Sequence, residues 1–234
     1  VVFFAVGFET TAPTNALSVL HAQRAGVKNY SILTSHVLVP PAMEAVINDE
    51  DSNIQGFLAA GHVCAIMGID EYYPIAERYR IPIVVTGFEP VDLVQGILMV
   101  VRQLEKGEYR LENQYSRIVR PEGNPEARKV LEQVFETGDR EWRGIGNIPM
   151  SGYELRSEFS AYDANKKFKV DIVKVSESQE CIAGLVLKGI KKPNECPQFG
   201  KKCQPQSPLG APMVSSEGAC AAYYHFSQAM EEVA

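Results

Sequence analysis

Short apolar runs recur through the first half of the chain, and stretches whose apolar residues return every three or four positions separate them. The runs Val1–Val6, Tyr30–Val39, Ile54–Ala60 and Ile81–Thr86 read as strands. The periodic stretches Pro13–Ala25, Pro40–Asn48, Glu71–Tyr79 and Val91–Lys106 read as helices. Thr11 is placed to cap the first helix, Gly26 to stop it, and Gly107 to end the last. Strands alternating with helices in this way predict βαβ units on a parallel sheet. Val1, in place of Met, opens directly on an apolar run, which reads as a buried strand cut from a longer chain.

The pattern then loosens. Asn113–Arg120 reads as a strand and Glu126–Glu136 as a helix, while Gly138–Gly152, with the lone Trp142, reads as a connection. Leu155–Phe159 and Phe168–Val175 carry weaker patterns. Ser215–Glu232 reads as a helix capped by Ser215 or Ser216. The expected fold class is α/β: a parallel-sheet βαβ domain over 1–112, followed by a smaller, irregular α+β domain over 113–234.

Composition narrows the classes. The 234 residues are 45% hydrophobic and 22% charged, enough for a buried core and too apolar for a disordered chain. A net charge of −6 argues against a broad nucleic-acid face. No apolar run is long enough to span a membrane and no export signal is visible, so a cytoplasmic location is expected.

Polar signatures follow three strands: Gly7-Phe8-Glu9-Thr10-Thr11, Gly61-His62-Val63-Cys64 and Gly87-Phe88-Glu89-Pro90-Val91-Asp92. In open parallel sheets, ligands meet the carboxyl ends of the strands. The repeated Gly-Phe-Glu therefore suggests one rim with Glu9 and Glu89 side by side, readable as an acid/base pair or as plain turns with capping acids. His62 reads as a ligand or as a hydrogen-bonded structural residue, and His36 shares that ambiguity. Cys64, among small apolar residues, reads as an inert buried thiol.

Four of the five cysteines, Cys181, Cys196, Cys203 and Cys220, fall near the end with spacing C-x14-C-x6-C-x16-C. The segment Ile190–Pro212 is too rich in Gly and Pro to build its own core, so a metal or covalent staple is expected there. Structural zinc usually uses paired short spacings, and none is present; a [4Fe–4S] cluster, zinc and unrelated core thiols all remain open at this point. Cys220 lies just inside a helix start, where backbone N–H groups favour negative charge. Glu217 beside it reads as a capping acid or as a proton donor at a redox centre. Lys188, Lys191, Lys192, Lys201 and Lys202 form a basic run that is a solvated face, a counter-charge to a thiolate cluster or a dock for an acidic partner.

Four long motifs then carry a resemblance: Val6-Gly-Phe-Glu-Thr-Thr-Ala-Pro13, Gly61-His-Val-Cys-Ala-Ile-Met-Gly68, Gly87-Phe-Glu-Pro-Val-Asp92 and Pro208-Leu-Gly-Ala-Pro-Met-Val-Ser-Ser-Glu-Gly-Ala-Cys220. With the cysteine spacing, they make the chain resemble the HypD family of [NiFe]-hydrogenase maturation factors over essentially its whole length. The resemblance implies two α/β domains across a cleft and a C-terminal region holding a [4Fe–4S] cluster. It implies a scaffold on which iron receives CN⁻ and CO, working with a HypC-type chaperone and a HypE-type cyanide donor. It places Cys181, Cys196, Cys203 and Cys220 as cluster ligands, His62 and Glu217 as functional polar residues, and Glu9, Thr10, Glu89 and Asp92 along the cleft. The family's Cys-Gly-Gly-His and Cys-Pro-Val-Cys type motifs do not occur here, so the chain resembles the second α/β domain plus the cluster region. A zinc-binding, non-redox docking module is the competing reading.

Overall fold

The computed structural model describes residues 1–168 and 178–231. Expected segment Phe168–Val175 thus lies, beyond Phe168, outside the described residues. Strand and helix alternate as the pattern requires: β1 (Val2–Gly7), α1 (Ala12–Arg24), β2 (Ser31–His36), α2 (Val39–Ile47), β3 (Phe57–Ala60), α3 (Gly61–Met67), α4 (Tyr72–Tyr79), β4 (Ile83–Thr86), α5 (Pro90–Lys106) and β5 (Leu111–Asn113). Then come α6 (Pro125–Val134), β6 (Phe135–Trp142), β7 (Gly146–Leu155), α7 (Ala164–Lys167), α8 (Ala183–Leu187) and α9 (Ala219–Glu231).

The class is α/β, and the strands that alternate with helices, β1 to β5, are parallel. They form two sheets: β1 pairs with β2, and β4 lies between β3 and β5. Every residue of β4 is buried, as expected for an apolar run covered on both faces. β1 departs from the expectation of a buried strand. Only Ala5 in it is buried, and Phe4 is 58% exposed. The connection expected over Gly138–Gly152 is instead a hairpin. Its strands alternate apolar and polar residues too loosely to be seen, but a three-residue loop can join only antiparallel neighbours. The strand expected over Asn113–Arg120 stops at Asn113 and turns.

Contacts divide the chain into two units. Unit 1 holds Val1–Glu44, Gln55–Arg140 and Pro149–Asp171; unit 2 holds Ala45–Ile54, Glu141–Ile148 and Ile172–Ala234. The division is not a single cut at 112/113, because α6 packs on α1, and its Leu131 and Val134 share a core with Val19, Leu20, Ile32 and Leu155. In unit 2 the buried cluster is small: Cys203, Met213 and Ala221, flanked by Phe199, Leu209, Cys220 and Tyr224. Among the described residues, no helix is long and apolar enough to cross a membrane.

Candidate functional site

Two groups of side chains bear chemistry. The first lies at the strand ends of unit 1. α3 begins directly where β3 stops, and this needs glycine: a Cβ on Gly61 would stand 2.4 Å from the Thr86 carbonyl oxygen. That start exposes His62, whose ring meets Phe88 edge-on at 4.7 Å and Tyr115 at 6.3 Å. The Tyr115 ring carries the Arg117 guanidinium at 4.6 Å. Arg117 in turn forks onto buried Asp92, donating to both carboxylate oxygens at 2.7 and 2.6 Å, while Gln114 donates to Oδ1 at 2.9 Å. These donors hold the Asp92 carboxyl down at about 2. A Cβ on Gly87 would lie 2.2 Å from Asp92 Oδ2, so glycine there lets the acid tuck under the turn. Sequence reasoning missed Gln114, Tyr115 and Arg117, because that segment read as a strand; the turn after Asn113 is what folds them onto the rim.

Glu9 and Glu89 are not the side-by-side pair expected. They follow strands of different sheets, β1 and β4. Glu89 is exposed at the start of α5 and faces the charge of Arg117. Glu9 is 2% exposed. Its Oε1 accepts from the Val39 N–H at 2.9 Å, and its Oε2 has no partner among the described residues. Burial, reinforced by Glu71, pushes its carboxyl up to about 7. Thr10, next to it, is exposed in the turn before α1. His36 is fully buried; its Nε2 stands 3.0 Å from the Asn15 amide, and burial pushes the ring down to about 4. Cys64 is buried with its thiol pushed up to about 12, an inert thiol as its apolar neighbours suggested.

The second group is in unit 2. Cys181, Cys196, Cys203 and Cys220 all line one small apolar cavity, walled also by Ile182, Phe199, Pro212 and Met213. Three turns and a helix bring them there. The Cys181 N–H donates to the Ser178 carbonyl, Cys196 closes the Pro193–Glu195 turn, and Cys203 bonds back to Gln198. Cys220 enters from the first turn of α9. Gly210 is needed here, since a Cβ would stand 2.3 Å from Cys181 Sγ. The Leu209 N–H points at Cys203 Sγ at 3.4 Å. Burial first, and then the neighbouring three thiols, push Cys220 up to about 11. None of the four is in a disulfide. Among the described residues, no three His, Cys, Asp or Glu side chains already stand together as a single-ion site.

Around this cavity the lysine run is mostly paired. Lys188 meets Asp49 at 2.6 Å, Lys191 meets Glu195 at 2.9 Å and Lys202 meets Glu180 at 2.9 Å. It is a solvated, balanced face more than a free basic patch. Glu217 is exposed three residues before Cys220. The helix expected from Ser215 begins at Ala219 instead, because the Ser215 hydroxyl accepts from the Glu217 N–H at 3.2 Å and closes a separate turn.

The family model described as "HypD: Hydrogenase formation hypA family" matches residues 1–227. The chain belongs to the HypD family. The hydrogenase maturation factor HypD of Rhodobacter capsulatus is 45% identical over 98% of the chain and 62% of its own length. Those of Azotobacter vinelandii and Escherichia coli (strain K12) are each 42% identical, over 100% and 99% of the chain and 63% and 62% of theirs. The chain thus spans under two thirds of these HypD relatives.

Proposed function

We propose that this chain is the cluster-bearing part of a HypD-type hydrogenase maturation scaffold, with Cys181, Cys196, Cys203 and Cys220 holding a [4Fe–4S] cluster. The observation that carries this reading is their convergence, from three turns and the start of α9, on one apolar cavity. The donor set fits the group. Four thiolates are the ligands such a cluster takes, and the first-turn N–H groups of α9 lie beside a thiolate's negative charge. When bound, the cluster supplies one-electron chemistry.

The chain's own residues do the rest. The four thiols lose their protons as they bind metal, and the apolar walls keep water from the sulfurs. In unit 1, His62, Glu89, Asp92 and the Arg117–Tyr115 stack form the polar face toward the iron that is the scaffold's cargo. That iron receives its CN⁻ and CO ligands with a HypC-type chaperone and a HypE-type cyanide donor as partners, in the cytoplasm.

Anaerobic iron and acid-labile sulfide analysis tests the reading. About four of each per chain is the expected result for a cubane on four cysteines. Cys196→Ala is expected to lose the visible chromophore and, in a whole-length relative, hydrogenase maturation. Zinc without sulfide would replace this reading with the non-redox docking module, and undiminished maturation by the variant would sink it.

A further inference from the structure

Unit 1 holds a second cavity, unrelated to the cysteines. Its volume is about 340 Å³, the lower range of small-molecule sites. Apolar side chains Leu38, Met67, Leu131, Phe135 and Tyr153 line it. The Phe135 and Tyr153 rings are stacked, 5.3 Å between centroids and 19° apart. Glu9 forms part of the same wall, almost wholly buried, with Oε2 unpartnered among the described residues. A buried carboxylate oxygen without a partner is costly, more so if charged.

The charges around it are lopsided. Glu71, Glu132 and Glu136 line the cavity beside Glu9, against Arg128 and Arg156. Both arginines spend N–H groups on backbone: Arg156 Nε on the Glu132 and Phe135 carbonyls at 2.8 and 3.1 Å, Arg128 on the Glu122 carbonyl at 3.3 Å. Cys64, Tyr72 and Tyr153, the other titratable groups near Glu9, are held neutral by burial. The field inside is negative, one part of the wall is apolar, and that part carries aromatic rings that suit a cation.

We propose that the Glu9 cavity binds a primary ammonium group carried on a short apolar stem. The ammonium donates to the Glu9 carboxylate, with Glu71 as the second negative charge, and the stem lies along Leu131, Phe135 and Tyr153. The proposal goes beyond the maturation reading and does not depend on the cysteines. Because Glu9 holds a proton up to about pH 7, the bound cation displaces that proton to solvent below this pH.

The test is calorimetric titration of n-butylammonium into the full chain at pH 6, 7 and 8, with 1-butanol as the neutral isostere. Affinity is expected to rise toward about tenfold per pH unit below pH 7 and to level above it, with 1-butanol at least about tenfold weaker, since one proton is exchanged. Glu9→Gln, which keeps an oxygen for the Val39 N–H, is expected to weaken binding at least about tenfold and to abolish the pH dependence. A tripeptide with a free N-terminus, run against its acetylated form, distinguishes a chain terminus from a free amine; binding by either source supports the site. Absence of butylammonium binding, equal binding of 1-butanol, or a pH-independent affinity in the unaltered chain overturns it, and so does tighter binding of acetate. Iron and sulfide content, measured on the same samples, reports separately on the cysteine cavity.

Discussion

At the scale of residues, Glu9 and His36 set opposite pH dependences. Glu9 titrates near 7 in the fold against 4.5 unfolded, so the folded state binds more protons between these values and stability falls as pH rises through that window. His36 titrates near 4 against 6.5, so there the unfolded state binds more protons and stability rises with pH. The two slopes offset each other between about pH 4.5 and 6.5. Asp92, held at about 2 by Arg117, adds stability above 3.8 that is lost as pH falls toward 2. Glu9→Gln removes one slope only. The variant is expected to match the parent near pH 4 and exceed it at pH 8 by up to about 3 kcal/mol, from 1.36 kcal/mol per pKa unit. Urea melts across pH 4–8 check this; equal stability at pH 8 would show that Glu9 is not desolvated as described. Gly210→Ala makes a second, local demand. Its Cβ, 2.3 Å from Cys181 Sγ, must push the sulfur out of the shared cavity, so iron loading is expected to fall while the melt of unit 1 stays put.

Among the elements, α5 stands out. Val91, Val94, Ile97, Leu98, Val101 and Leu104 are 41–66% exposed along it. Its buried positions include Asp92, Gly96 and Gln103. The residues that pack are small or hydrogen-bonded: Gly96 lets the helix close on Thr86, and Gln103 bonds the Arg110 N–H at 2.8 Å and Glu112 at 2.7 Å. Leu98→Lys is therefore expected to change stability by no more than about 0.5 kcal/mol, the usual range for surface positions. A loss of 2 kcal/mol or more in the isolated chain would mean the stripe is packed. The same helix shows what a sequence does and does not disclose. Its length and its Gly107 stop were legible, because local rules govern them, while its Pro90 start lay one residue before the expected Val91. Which face is buried was not, since apolar periodicity marks a packing face without saying what covers it. β1 repeats that lesson, with its strand foreseen and its burial not. The late grouping of the four cysteines was visible in the sequence, though their spacing left a cluster, zinc and core thiols open, and Asp92 stood in its motif; the Arg117 fork that holds Asp92 depended on a turn with no local signature. The split into two sheets rests on long-range pairing, which local patterns do not encode, whereas the hairpin after α6 is local and was hidden by its loose alternation.

For the whole molecule, the proposed role turns on where an iron atom with CN⁻ and CO ligands could be held. Such strong-field ligands suit a low-spin iron, and soft thiolates are its natural protein anchors. The chain has five cysteines. Four line the one small cavity and are committed to it in the reading above. The fifth, Cys64, is fully buried with a thiol pushed up to about 12, so it offers no thiolate at neutral pH. No further cysteine occurs in the sequence, and the chain spans only 62–63% of the HypD relatives from R. capsulatus, A. vinelandii and E. coli. The polar rim offers the nitrogen of His62 and the oxygens of Glu89, Asp92 being taken up by Arg117 and Gln114, and such donors hold this iron poorly. The isolated chain, given iron and proteins of the HypC and HypE type, is therefore expected to show no infrared bands of iron-bound CN⁻ or CO, even when the chromophore of the proposed cluster forms. A whole-length relative such as that of E. coli, treated alike, is expected to show them. Bands on the isolated chain would mean that the rim or the cysteine cavity anchors the iron unaided, and the assignment of all four late cysteines to a resident cluster would have to be given up first.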